Sequence, residues 1–326
     1  MTASADHLKA LLSAHAAGDD DQFYSIALQV AAKSARQGHG RLAVELRELI
    51  DSSRGQRITR RAAPTPVVQP RGELGSLLSA DYPDVRLSDM TLAEGPNALL
   101  EKVLHEQRQR GQLEKFGFTP VHRVLLSGPP GTGKSMTAAV LAGELGLPLF
   151  TIRLDGLISR FMGETASKLR LVFEAAAETR AVYLFDEFDA LGADRAAGND
   201  VGEARRILNS FLLFLDQAPP ESLVVAATNH GQLLDGALFR RFDLAIMYAP
   251  PSAEQAIEVL QRRLSAMDTA AVAWSDLAAL TDRLSHAELV KAAESAAKRA
   301  ILGGNDMIDA EHLRNALNER HSLRHA

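Results

Sequence analysis

Cysteine is absent from this chain. With it go disulfide staples, zinc sites built on thiolates and any thiol nucleophile, and the lack fits a reducing compartment. Aromatic residues are sparse at 5%, with Trp274 the single tryptophan, so no run of rings offers single-stranded nucleic acid a stacking platform. Positive charge is not in excess. Lys and Arg number 36 against 41 Asp and Glu, for a net charge of −5, which counts against nucleic acid as a partner without excluding it. No apolar run is long enough to span a bilayer and no leader pattern is expected, so a cytoplasmic location and no membrane partner are the expectation. The sequence also lacks a His-Glu metal pair and a Ser/His/Asp context, so any proteolysis would have to come from a separate partner protease.

What is present is 326 residues, 46% of them hydrophobic and mostly aliphatic, enough for about two domains with real cores. Residues 1–53 carry three amphipathic stretches, through Leu8, Leu11 and Leu12, then Phe23, Ile26 and Val30, then Leu42, Leu46 and Leu49. A small N-terminal helical docking or assembly domain is expected there. Residues 54–87 mix Arg54, Arg57, Arg60, Arg61 and Arg71 with Pro64, Pro66 and Pro70, and read as an Arg/Pro-rich linker. From 88 to 250 short apolar runs (124–126, 149–153, 181–185, 223–228 and 244–248) alternate with segments of helical period. A helix over 97–115 leads into the first of these runs. Such alternation predicts an α/β domain, a doubly wound parallel sheet with ligands at the carboxyl ends of its strands. Beyond Pro250-Pro251 the strands stop, and 251–326 reads as a C-terminal helical lid domain capped at Ser252, Ser285 and Asp309, with His321 and His325 on a tail expected to fray.

Gly128-Pro129-Pro130-Gly131-Thr132-Gly133-Lys134-Ser135 lies between the run Val124-Leu125-Leu126 and a helix opening at Met136. Strand, glycine-rich loop and helix in that order converge backbone N–H groups on a phosphate at the positive end of the helix. Lys134 can neutralise the β- and γ-phosphates, and Ser135 can place its hydroxyl on a Mg2+ ion. The run 181–185 ends in Asp186-Glu187, two carboxylates where a buried strand emerges. Asp186 is the expected Mg2+ ligand, direct or through water, and Glu187 the base that polarises the attacking water. Asn229, after Ala226-Ala227-Thr228, can hold the water or the γ-phosphate through neutral hydrogen bonds. In isolation the reading of Asn229 as a turn residue would win, since Asn favours strand ends anyway.

The ordered set resembles an AAA ATPase of the protein-remodelling branch of the AAA+ superfamily. The resemblance covers about 88–320 and rests on 128–135, on Phe185-Asp186-Glu187-Phe188-Asp189-Ala190, on Ala227-Thr228-Asn229 and on 233–243, which resembles the second region of homology. It implies a P-loop AAA+ domain over 88–250, ATP and Mg2+ as cofactors, and a homo-oligomer in the form of a hexameric ring acting on a protein substrate. Asn229 matches sensor 1. Arg240 and Arg241 match the arginine pair offered to the neighbouring subunit, and their adjacency leaves open which makes the primary contact. Ser285-His286-Ala287-Glu288-Leu289 resembles the lid motif, with His286 where a glycine is usual. His286 and Ala287, with 128–136 through Met136, complete the implied nucleotide-binding set. Phe161-Met162-Gly163 occupies the slot of the loop that lines the central pore. Two other readings stay open at this stage: a nucleic-acid-associated motor or loader, and a nucleotide switch that does not hydrolyse.

Overall fold

The structure is a computed structural model that describes residues 70, 72–157, 164–191, 201–231, 236–304 and 307–324. The expected N-terminal domain (1–53), the linker up to residue 69 and the segment 158–163 lie outside the described residues. The second half of the expected linker is built differently from the expectation. Helix α1 (Glu73–Leu77) runs into strand β1 (Leu78–Asp81), and β1 pairs antiparallel with β3 (Leu149–Ile152), Leu78 opposite Ile152. Leu77 and Leu78 are buried in the core, so the chain already packs onto the α/β domain well before residue 87.

Among the described residues the sheet has six strands in the order β1-β3-β4-β5-β2-β6. The remaining strands are β2 (Arg123–Ser127), β4 (Val182–Phe185), β5 (Leu223–Thr228) and β6 (Leu244–Met247), all paired in parallel. Side chains of the inner strands alternate between two apolar layers, as the period of two in a pleated strand requires. Leu125, Tyr183, Phe185, Val224 and Ala226 face one layer. Val124, Leu126, Val182, Leu184, Val225 and Ala227 face the other.

Helices α2 (Glu94–Arg108) and α4 (Lys134–Leu145) supply the second layer through Leu100, Val103 and Leu104, and through Ala138, Leu141 and Ala142. The segment expected as one helix over 97–115 is two, because Gln109 leaves helical geometry before α3 (Arg110–Lys115) begins. On the other face lie α5 (Leu154–Leu157), α6 (Glu164–Glu178) and α7 (Val201–Asp216). The scarce aromatics gather there: Phe185 and Phe211 meet edge to face at 5.0 Å, Phe188 and Phe211 at 4.6 Å, and Phe173 packs on both Phe185 and Phe211.

A short helix α8 (Gly236–Phe239) precedes β6. The lid follows as α9 (Ala253–Arg263), a 3-10 stretch (Trp274–Thr281), α10 (His286–Leu302) and α11 (Ala310–Arg324), around its own cluster including Leu260, Leu277, Leu289 and Leu313. Ser252 and Ser285 each close a reciprocal capping box, and Asp309 accepts from the backbone N–H of His312 at 2.8 Å. The tail expected to fray is helical through Arg324, and His321 is tied by its ring to the Leu280 carbonyl at 2.8 Å. No helix among the described residues is long and apolar enough to cross a membrane.

Candidate active site

Strand β2 delivers the chain to the loop 128–133, and α4 carries it away. Gly128 sits at φ 156°, where a Cβ would overlap the Tyr248 carbonyl at the end of the neighbouring strand, so no side chain fits. Thr132 is buried and donates its hydroxyl to the Pro129 carbonyl at 2.8 Å, while Pro130 is exposed on the loop's outer side. Lys134 is buried at the first turn of α4, and its ammonium donates to the carbonyls of Gly128 at 2.8 Å and Pro129 at 2.7 Å. Burial lowers its pKa below the usual lysine value, partly offset by the carboxylates of Asp186 and Asp189. A desolvated cation held by neutral carbonyls at a helix N-terminus is a strong anion site.

The carboxylates lie beside it. Ser135 donates its hydroxyl to Asp186 at 2.5 Å, joining the start of α4 to the end of β4. Glu187 is exposed and takes φ 51°, a left-handed conformation that costs a non-glycine residue on the order of 1–3 kcal/mol. Two features hold it there. Its N–H donates to Asp186 at 2.9 Å, and the flanking Phe185 and Phe188 are both buried against Phe211. The sparse aromatic content is thus spent as an anchor under the turn that carries both carboxylates.

Asn229 follows β5, its side chain without a hydrogen-bond partner among the described residues. Its neighbourhood is fixed by a residue that the sequence reading did not single out. Asp189 accepts from the Thr228 hydroxyl at 2.9 Å and the Asn229 N–H at 3.3 Å, and so ties the end of β5 to the turn after β4. The available signal was a third carboxylate three residues beyond Asp186, which motif spacing alone did not connect to Thr228.

The lid reaches the loop directly. Ala287 donates its N–H to the Gly131 carbonyl at 3.0 Å, and a Cβ on Gly131 would stand 2.7 Å from the Ser285 hydroxyl. Alongside opens a cavity of about 620 Å3 lined by Met90, Thr91, Met136, Val259, His286 and Val290. Both ring nitrogens of His286 are buried there without a full hydrogen bond, and burial lowers its pKa, partly offset by the Thr91 backbone. His286 is therefore a neutral ring at neutral pH, with one donor and one acceptor to offer. Arg262 of α9 donates to the Ser88 carbonyl and closes the lid over this side.

The two arginines differ. Arg241 pairs with Asp216 of its own chain, whereas Arg240 is exposed and has no partner among the described residues. The structure thus brings together 128–136, Asp186, Glu187, Asn229, His286 and Ala287, and leaves Arg240 outward. Phe161, Met162 and Gly163 lie outside the described residues.

Comparison with known proteins places these features in company. The family model "ATPase family associated with various cellular activities (AAA)" matches residues 124–249. An uncharacterized AAA family ATPase, y4kL, of Sinorhizobium fredii is 30% identical over 312 residues, covering 96% of this chain and 94% of that protein. The ATP-dependent zinc metalloprotease FtsH of Helicobacter pylori is 32% identical over 256 residues, 76% of this chain but only 40% of that one. Among solved structures, the crystal structure of the FIGL-1 AAA domain superposes with a TM-score of 0.61 at 25% identity, covering 79% of this chain and 92% of the other.

Proposed function

Since the chain belongs to the AAA ATPase family and so hydrolyses ATP with Mg2+ as the usual cofactor, we propose that it works as a homo-oligomeric ring, hexameric as is common in that family, which spends ATP to remodel or thread protein substrates. The observation that carries the catalytic part is the Ser135–Asp186 contact at 2.5 Å, with Glu187 next in the chain. It joins the phosphate loop to a carboxylate pair in one place.

In this reading the β- and γ-phosphates lie along 128–135, where the loop N–H groups and Lys134 take their charge. A hydroxyl and a carboxylate oxygen 2.5 Å apart are hard donors that suit Mg2+, so Ser135 and Asp186 would hold the ion, which supplies charge neutralisation at the phosphates. Glu187 accepts a proton from water as the water oxygen attacks the γ-phosphorus, and the bond to the β,γ-bridging oxygen breaks to leave ADP and phosphate. Asn229 orients that water or senses the γ-phosphate, with Asp189 and Thr228 fixing its backbone. Neutral His286, with Ala287 and Met136, borders the base. Arg240 reaches the neighbour's γ-phosphate, and Arg241, tied to Asp216, braces it. Phe161, Met162 and Gly163 are assigned to gripping the polypeptide, on their position in the sequence.

The test pairs two variants. Lys134→Ala should lose tight ATP binding, whereas Glu187→Gln should keep it while hydrolysis falls by about 10²- to 10⁴-fold, the scale of a lost general base. Equal loss of binding in both would overturn the assignment. The ATP-loaded Glu187→Gln protein should also retain a client polypeptide, and capture of nucleic acid in its place would favour the loader reading.

A further inference from the structure

The last turn of α11 is tied to the segment that closes on the phosphate loop, at two points. His321 donates its Nε2–H to the Leu280 carbonyl at 2.8 Å, and Arg324 donates to the carbonyl of Arg283. Arg283 holds φ 62°, a left-handed turn in a non-glycine residue just ahead of the Ser285 cap. Arg324 also pairs through Nε with Glu288 at 2.9 Å.

Glu288 is the hub. Its other oxygen accepts from both the N–H and the hydroxyl of Ser285, each at 2.7 Å, so the carboxylate serves three donors at once. Ser285 in turn stands against Gly131, and Ala287 donates to the Gly131 carbonyl at 3.0 Å. Arg324 and Glu288 thus hold Ser285, which packs against Gly131, and two residues on the N–H of Ala287 makes the hydrogen bond to the loop.

We infer that Arg324, at the far end of the chain from the phosphate loop in sequence, is a positioning residue for the ATP site, setting the lid segment 283–288 through Glu288 and the Arg283 carbonyl. The inference rests on the reading of 128–136 and 286–287 as that site. An exposed ion pair alone contributes little. Here one forked guanidinium holds two points on either side of a helix cap, a geometry lysine cannot copy and one that pre-orders a turn of unfavourable φ.

The experiment measures ATP affinity and turnover of the full chain in four forms: Arg324→Ala, Arg324→Gln, Glu288→Gln, and Arg324→Ala with Glu288→Gln. Lys134→Ala serves as control. Arg324→Ala and Arg324→Gln should each weaken ATP binding about 3- to 10-fold while turnover at saturating ATP stays within about twofold, because the reacting groups are untouched. In the Glu288→Gln background Arg324→Ala should add clearly less than it costs in the parent, because the Glu288 contact is already weakened and chiefly the Arg283 contact remains to be lost. A melting temperature for Arg324→Gln close to the parent's separates lid positioning from general unfolding. Parental affinity in both Arg324 variants, or a full additional loss in the double variant, overturns the inference while leaving the site reading intact if Lys134→Ala fails to bind. Parental binding by Lys134→Ala overturns the site reading itself.

Discussion

Asp243 shows what a single carboxylate can do at a strand entrance. It accepts from the backbone N–H groups of His122 and Arg123 at 3.1 and 3.0 Å and from the Arg123 guanidinium at 2.5 Å, and lies 3.1 Å from the His122 ring. Burial alone would raise its pKa. The hydrogen bonds from His122 and Arg123 outweigh burial and hold the carboxyl well below the usual range. A depressed folded value means the contribution is fully present above the unfolded value of about 4 and is lost as pH falls through the folded one. Asp243→Asn should therefore cost about 2–3 kcal/mol near neutrality, the scale of hydrogen bonds to a charged group, and the gap between parent and variant should narrow below about pH 4. Thermal melts across pH measure it, and a gap unchanged down to pH 2 would count against this account. Residues of this kind were the least legible in the sequence. Gly128 to Ser135 and Asp186-Glu187 could be read because each is a contiguous string with its own chemistry, whereas Asp243 with His122, and Asp189 with Thr228, are pairings across the fold that no local pattern marks.

Elements were legible where their signals are local. The caps Ser252, Ser285 and Asp309 stand where a polar side chain three residues from its target N–H can be read directly. Strand β1 could not be read that way, since its four residues alternate weakly and gain their pairing only from Leu149–Ile152, far along the chain. The same distinction governs glycines in helices. Gly111 in α3 faces open space, and replacing it by alanine should stabilise by up to about 1 kcal/mol through helix propensity alone. Gly143 in α4 lies under the strap 83–86: a Cβ there would overlap the Val85 carbonyl, and its own carbonyl accepts from Arg86 at 2.8 Å. Gly143→Ala should thus destabilise by about 1–3 kcal/mol despite the same propensity gain, because backbone atoms of the strap must move. Denaturant midpoints of the two variants should shift in opposite directions. A stabilised Gly143→Ala would mean that the strap does not bear on α4.

At the scale of the whole molecule, the proposed ring would take its decisive residue from another copy, which is why a single sequence named two arginines and could not choose between them. Arg241 is engaged by Asp216 within its own chain, while Arg240 is exposed and has no partner among the described residues. A guanidinium already paired must give up that pair to reach a phosphate, whereas a free one pays only its solvation. Arg240→Ala should then leave ATP binding nearly intact and cut hydrolysis by a factor on the order of 10³ or more, with a clearly smaller loss for Arg241→Ala. The trans role has its own test in mixed rings. An Arg240→Ala subunit keeps Lys134 and can bind ATP, and a Lys134→Ala subunit keeps Arg240 and can serve its neighbour. In an equal mixture about a quarter of the boundaries pair an intact nucleotide site with an intact arginine, since a heterologous ring offers each subunit a different face of the next. Co-assembled rings of two nearly inactive proteins should therefore recover on the order of a quarter of parental turnover per site, read as phosphate release after mixing. Recovery from Arg241→Ala but not from Arg240→Ala would exchange the two roles, and mixed rings that assemble yet stay inactive in both cases would place the arginines outside the neighbour's reaction.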